Sequence, residues 1–135
     1  MVGEHEVLIV HEDDVEHLWP LVQPWLERLH KRHKGVAPDK LREMVDTGEA
    51  FLVIYGKQGF AIFTPLGDTY FVISMAAFSG VCDFPIEQII SNATEHAKGL
   101  GFKRVEVGSP RKAWWVILPK LGFVWDGEFK FTLEL

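Results

Sequence analysis

The chain has 135 residues, a net charge of −5 and 47% hydrophobic residues, which predicts one domain, residues 1–135, with a packed core. An acidic surface repels phosphate backbones, so general nucleic-acid binding is not expected. No apolar run approaches the roughly 20 residues that cross a bilayer, and the acidic N-terminus lacks the pattern of a signal peptide. The only cysteine, Cys82, cannot form an internal disulfide. We therefore expect a cytoplasmic protein without a membrane partner.

The first elements along the chain are a strand and a helix. Residues 5–10 carry an apolar run that predicts the strand, and Asp13 and Asp14 offer N-caps for the helix that follows. Apolar residues then recur at helical spacing as far as residue 29. Pro20 and Pro24 interrupt this pattern, which predicts two short helices or one kinked helix.

A second helix and a three-strand meander follow. Pro38 suits the first turn of the helix, and Gly48 suits its end. The pattern then changes to alternation with tight turns between the strands. The predicted strands span residues 50–55, 60–64 and 69–78.

The last third of the chain predicts a crossover and a hairpin. A helix from Pro85 to Gly99 has one apolar face, so it should return the chain to a strand parallel to the preceding one. Residues 102–107 form that strand, and residues 111–121 are predicted to be helical. The final hairpin pairs residues 123–125 with residues 129–135. The predicted order is β-α-α-β-β-β-α-β-α-β-β, an α/β fold in which helices cover a mixed sheet.

This order, together with two local segments, resembles the GNAT family of N-acetyltransferases. Residues 93–107 (ATEHAKGLGFKRVEV) are similar to the family's third helix and fifth strand. Residues 113–123 (AWWVILPKLGF) are similar to its last helix, including the terminal Lys-x-Gly-Phe. Three further stretches resemble short GNAT-like proteins of tailed bacteriophages, some of which are associated with virions while others act in the host. These stretches are residues 17–19, 47–50 and 107–114.

The resemblance implies acetyl-coenzyme A as the cofactor, an amine as the acceptor and no metal. Backbone groups at the end of the fourth strand would hold pantetheine, and the loop after it would approach the pyrophosphate, with a further contact past the fifth strand. The implied cofactor-binding residues are Met75, Ala76, Ala77, Gly80, Val81 and Arg111.

The phosphate-binding loop departs from the family pattern. The family's Gln/Arg-x-x-Gly-x-Gly/Ala motif falls at residues 81–86, which contain none of its Arg, Gln or Gly residues. Pro85 removes one N–H donor, and Asp83 places a negative charge where phosphate would lie, although it could instead cap the helix. Both a structural helix start and a variant coenzyme site fit this segment.

The catalytic positions also depart from the pattern. The family's general-acid tyrosine aligns with Leu118, and a frequent asparagine aligns with Arg111. The fourth strand carries no carboxylate to act as a base, and Tyr70 and Ser74 are its only side chains that could handle a proton. Ser109 follows the fifth strand, where a ligand could be met. Packing would explain Tyr70 and Ser74 equally, and a turn would explain Ser109.

Two functions remain open. The chain is an acyltransferase that uses acetyl-coenzyme A, or it is a GNAT-like scaffold without catalysis that contacts a virion or host protein. Trp114 and Trp115 are adjacent on one helix, so one should face the core and the other the surface. An exposed tryptophan beside Phe129 or Phe131 would indicate a partner surface. The family resemblance requires residues 69–107 to form two parallel strands bridged by a helix, with a wedge between them.

Overall fold

The structure is a computed structural model that describes residues 7–33, 37–56, 58–77, 84–108, 112–127 and 130–135. Seven strands and four helices lie in this part of the chain. The strands are β1 (Val7–Ile9), β2 (Phe51–Tyr55), β3 (Gly59–Leu66), β4 (Thr69–Ala77), β5 (Arg104–Gly108), β6 (Val124–Trp125) and β7 (Lys130–Glu134). The helices are α1 (Val15–His33), α2 (Pro38–Asp46), α3 (Phe84–Gly99) and α4 (Lys112–Lys120).

The strands form one mixed sheet in the order β1-β2-β3-β4-β5-β7-β6. Strands β4 and β5 pair in parallel, and every other described neighbouring pair is antiparallel. Helix α3 connects the two parallel strands, as parallel pairing requires. The predicted α/β architecture and the predicted order of its elements are therefore confirmed.

Helices cover both faces of the sheet, and each face has its own core. Helices α3 and α4 pack on residues from β2, β3, β4, β5 and β7, and this core includes Tyr70, Ile89, Val105, Leu118 and Phe131. Helices α1 and α2 pack mainly on β2 and β3, and this second core includes Trp19, Leu26, Leu41, Leu52 and Ile62. None of the described helices combines the length and the apolar character needed to cross a membrane.

Helix α1 is continuous, so only the alternative of one helix holds. Pro20 and Pro24 both lie inside it, one turn apart, on its exposed side. Each proline removes one backbone hydrogen bond, but water can bind the released carbonyl groups on an exposed face. Asp13 and Asp14, which were expected to cap this helix, lie in a 3-10 turn before it, where the Asp14 N–H donates to the His11 carbonyl at 2.8 Å.

Strand β3 is longer than predicted, since it continues through Pro65 to Leu66. Pro65 pairs with Tyr70 near the end of the strand, where its side chain is exposed. The last pair joins Leu66 to Thr69, which leaves Gly67 and Asp68 as a two-residue turn. Gly67 has φ 61°, a conformation that glycine adopts without strain.

Candidate functional site

Strands β4 and β5 pair over only part of their length. The parallel ladder runs from Thr69 opposite Arg104 to Val72 opposite Val107. Beyond that point β4 continues to Ala77 while it remains paired with β3, and no further β4–β5 pair occurs among the described residues. Residues 73–77 of β4 thus have no described partner on the β5 side, and we call this end of the β4–β5 pair the wedge. The predicted parallel pair bridged by a helix is confirmed, and the opening between its strands stays a prediction.

A β-bulge lies where the wedge begins. Phe63 pairs with Val72 and Ile62 pairs with Ser74, so Ile73 has no residue opposite it in the β3–β4 ladder. Ile73 packs with the α1/α2 core, and Ser74 shares that face because it lies opposite Ile62. Two consecutive side chains on one face break the alternation of the strand. A bulge increases local twist, and it lies where the described β4–β5 ladder ends.

The α3 side of the wedge is apolar. Met75 is buried in the core that contains Val107 and the α3 residues Ile89 and Ile90. The C-terminal half of α3 contacts the start of β4, since His96 lies against Tyr70. The N-terminal end of α3 is consequently directed toward the wedge end of the sheet, and a helix N-terminus favours anions.

The predicted cofactor-binding residues divide between the wedge and segments that the structure does not describe. Met75, Ala76 and Ala77 all lie on the part of β4 beyond its described pairs with β5. The other predicted positions, namely Gly80, Val81, Ser109 and Arg111, lie outside the described residues.

The opposite face of β5 carries a carboxylate that sequence reasoning missed. Glu106 lies opposite Phe71 on β4 and Thr132 on β7, and it binds the Lys130 ammonium at 3.0 Å. The Glu106 side chain is 14% exposed and that of Lys130 is 30% exposed. The described core beneath α1 and α2 contains no residue of β5 or β7. The signal was present in the sequence, because Glu106 lies between Val105 and Val107, whose side chains face the opposite core.

The position next to Glu106 on this face is narrow. Gly108 is the first β5 residue beyond the paired segment, and it lies opposite Lys130 on β7. A Cβ atom at Gly108 would meet the Phe71 Cζ atom at 3.5 Å, which is an ordinary contact. Alanine therefore fits here, whereas a longer side chain would extend along the border of the wedge.

Tyr70 belongs to a buried polar chain at the paired end of β4. Its hydroxyl lies 2.9 Å from the Tyr55 hydroxyl and 3.4 Å from His96 Nδ1. Burial raises the pKa of both phenols well above the ordinary value, and the neighbouring Tyr55 raises the pKa of Tyr70 further. Burial also lowers the pKa of His96, whose buried Nε2 atom has no hydrogen-bond partner among the described residues. Both phenols are therefore neutral at physiological pH.

The structure does not bring the two predicted β4 catalytic side chains together. Tyr70 faces α3 and stacks on Phe63, with 3.9 Å between the ring centroids. Ser74 is half-buried on the α1/α2 side, beside the bulge. Only Ser74 lies on the part of β4 that borders the wedge.

Helix α4 places a buried leucine and an exposed tryptophan close together. Leu118, which aligns with the family's tyrosine, is fully buried in the α3/α4 core. Trp115 is 49% exposed, and its ring lies 5.3 Å from that of Trp125, which in turn lies 4.8 Å from the Phe131 ring. An exposed tryptophan thus occurs in the same aromatic row as Phe131. The side chain of Trp114 and residue Phe129 lie outside the described part.

The described residues contain no group of three or more His, Cys, Asp or Glu side chains that could hold a metal ion. The candidate site therefore consists of the wedge, its apolar wall at Met75, and the face that carries Glu106 and Lys130.

Solved acetyltransferase structures share this fold. A Bacillus subtilis acetyltransferase in complex with CoA is 16% identical, with a TM-score of 0.66 over 96% of this chain and 98% of that one. A GNAT-family acetyltransferase from Listeria monocytogenes is 16% identical, with a TM-score of 0.64 over 100% of this chain and 98% of that one. PaiA N-acetyltransferase from Thermoplasma acidophilum, in complex with coenzyme A, is 10% identical, with a TM-score of 0.61 over 96% and 98% of the chains.

No protein-family model matches the sequence, and no curated protein matches it either. At identities this low, structural likeness establishes the fold alone. The chain thus has the fold of GNAT acetyltransferases.

Proposed function

We propose that this chain is a single-domain, cytoplasmic acyltransferase that binds acetyl-coenzyme A in the wedge and transfers the acetyl group to an amine. The end of the β4–β5 ladder at Val72 and Val107 carries this proposal, because the β4 backbone groups beyond it have no β5 partner among the described residues. A pantetheine chain, which contains two amides, is chemically suited to pair with such an edge. Two proteins with this fold hold the coenzyme in their solved structures.

The residues that would hold the coenzyme follow from this placement. Met75, Ala76 and Ala77 offer backbone groups at the wedge, and the N-terminal end of α3 offers its dipole to the pyrophosphate. Gly80 and Val81 are assigned to the approach to the phosphates, and Arg111 is assigned to an anion contact past β5. The bound coenzyme supplies the activated acetyl group. The chain's own residues position the amine and handle its proton.

Glu106 is the proposed proton acceptor. It lies on β5, two residues before Gly108, and it already binds one ammonium group, that of Lys130. Ser74 and Ser109 are proposed to donate hydrogen bonds to the acyl group or to the leaving sulfur. We assign Tyr70 a structural role instead of a catalytic one, because its neutral hydroxyl is already bonded inside the core.

Thermal unfolding with and without excess acetyl-coenzyme A tests the proposal. Coenzyme at 100 times its dissociation constant should stabilise the fold by about 2.7 kcal/mol. Gly108→Leu should reduce this gain by extending a side chain along the wedge border. Gly99→Leu is the matched control, since a Cβ atom at Gly99 meets nothing within 4 Å. An unchanged melting temperature at millimolar coenzyme contradicts the proposal.

A second candidate function is a scaffold without catalysis that contacts a virion or host protein. The exposed Trp115 ring on Trp125 favours it, because aromatic side chains dominate the energetics of interfaces. A bacterial protein that this chain retains from lysate, and that Trp115→Ser loses without a change in melting temperature, would support this function. Retention by both forms would argue against it.

A further inference from the structure

We propose that Lys130 is a self-acetylation site, at which the chain transfers an acetyl group from acetyl-coenzyme A to its own Nζ atom. This inference rests on the proposed function and goes beyond it, because it identifies an acceptor within the chain. Three observations carry it: the position of Lys130 in the sheet, its contact with Glu106, and its contrast with Lys103, a second ion-paired lysine.

The sheet register places Lys130 beside the border of the wedge. Lys130 lies directly opposite Gly108, the first β5 residue that is not paired with β4. Its Cα atom is thus about 5 Å from that position, the usual spacing of adjacent strands. From there the side chain reaches Glu106, two residues before Gly108 on β5. The ammonium group therefore lies beside the last β4–β5 pairs, next to the start of the wedge.

The contact with Glu106 supplies the proton acceptor that the reaction needs. An ammonium group is not a nucleophile, so Lys130 must first lose a proton, and the Glu106 carboxylate lies 3.0 Å from its Nζ atom. The Nζ atom then forms a bond to the acyl carbon of the thioester, and the carbon–sulfur bond breaks. The ammonium loses two protons in total, of which one passes through Glu106 to solvent and one ends on the sulfur. The product is a neutral amide.

Lys103 serves as a comparison for Lys130, because it also has a carboxylate partner but lies at the other end of β5. It pairs with Asp68 at 3.8 Å, so it is also a lysine beside a carboxylate. It lies next to Arg104, at the paired end of β5 and away from the wedge. Its side chain is 73% exposed against 30% for Lys130. A chemical reagent that reacts according to exposure should therefore prefer Lys103, whereas transfer from coenzyme bound in the wedge should prefer Lys130.

The experiment compares these two labelling patterns in the full chain. Acetic anhydride in one sample and acetyl-coenzyme A in another are each followed by peptide mass spectrometry. We expect the anhydride to modify Lys103 more than Lys130. We expect acetyl-coenzyme A to modify Lys130 at least about tenfold more than Lys103, as proximity to a bound donor predicts. Glu106→Gln should slow modification of Lys130 by roughly 10²-fold, the usual contribution of a general base.

Controls separate this inference from the proposed function. The melting temperature with coenzyme is measured on the same samples, and Lys103→Arg should leave the modification of Lys130 unchanged. If coenzyme raises the melting temperature but Lys130 stays unmodified, or is modified no faster than Lys103, self-acetylation is wrong while the proposed function stands. If acetyl-coenzyme A neither stabilises the chain nor modifies Lys130, both the proposed function and self-acetylation are wrong. Equal rates in Glu106→Gln and the parent would overturn the role of Glu106.

Discussion

The two faces of the sheet are built differently, although the same strands form both. Beneath α3 and α4, buried side chains continue from β2 to β7 without a gap in the described core. On the other face, α1 and α2 cover mainly β2 and β3, and the neighbouring strands present Glu106, Lys130 and Thr132. Strand β5 shows the contrast most directly, because Val105 and Val107 enter the closed core while Glu106 lies between them on the open face.

This difference separates stability from chemistry. Apolar burial stabilises the fold, and it is concentrated on the face beneath α3 and α4, which we call the closed face. The face that carries Glu106 and Lys130 is called the open face. Charged groups that must exchange protons need access to solvent, and they lie on the open face. The alternation of a strand allows neighbouring residues to serve both purposes, so a substitution in β5 should act on one face without disturbing the other. Substitutions on the two faces test that separation.

The closed face should be sensitive to a cavity. Leu118→Ala removes a fully buried side chain from α4, and we expect a loss of about 2–5 kcal/mol in the free energy of unfolding. Val116→Ala on the same helix removes a side chain that is 62% exposed, and it should change stability by less than about 0.5 kcal/mol. Urea unfolding of both variants measures the difference. Equal effects would mean that α4 does not pack as described.

The buried hydrogen bonds that join Tyr55, Tyr70 and His96 should contribute to the free energy of unfolding. Tyr70→Phe keeps the stacked ring but removes the hydroxyl that joins Tyr55 to His96. The remaining buried polar groups lose a partner, so we expect a loss of about 1–3 kcal/mol in unfolding free energy. Modification of Lys130 by acetyl-coenzyme A should continue at the parent rate once the variant is folded. A folded variant that has lost this reaction would restore a catalytic role for Tyr70.

Protonation of His96 on the closed face should be unfavourable. The free energy of unfolding should therefore depend on pH. Burial lowers the pKa of His96 in the folded state, so the unfolded chain takes up a proton first as the pH falls. The contribution of neutral His96 is complete above about pH 6.5 and is lost as the pH falls toward the lowered folded value.

The slope from this one group cannot exceed about 1.4 kcal/mol per pH unit. Unfolding of the parent and of His96→Gln should be compared from about pH 7.5 to about pH 5.5, because the difference cancels the other titrating groups. The parent should lose more stability than the variant over this range. Parallel curves would show that His96 is not buried in a way that opposes its charge.

Substitutions on the open face should have a small effect on the free energy of unfolding. Glu106→Gln removes the charge that binds Lys130 and retains the side-chain volume, and we expect a loss of about 1 kcal/mol or less. Because the pair is partly exposed, added salt should reduce the loss further. Urea unfolding at low and high salt measures both effects. A loss of 3 kcal/mol or more would be typical of a buried ion pair, and the distinction between the faces would then fail.

The sequence predicted the order of the elements and the parallel β4–β5 pair because those features leave local signals. Pro85 and Gly99 bracket a helix, and Gly67 marks a turn. The bulge at Ile73 left no such signal, since residues 70–77 are mostly apolar and their alternation does not reveal a change of register. The hydrogen-bonded group of Tyr55, Tyr70 and His96 could not be predicted either, because its partners are 15 and 26 residues apart and meet only through packing.

The bulge at Ile73 has a consequence for which mutations can alter strand β4. It depends on the number of residues in β4 and not on the identity of their side chains. Substitutions can therefore replace every polar side chain of β4 while the bulge persists. A deletion of one residue here would restore regular β3–β4 pairing, even though every functional group elsewhere in the chain stayed in place.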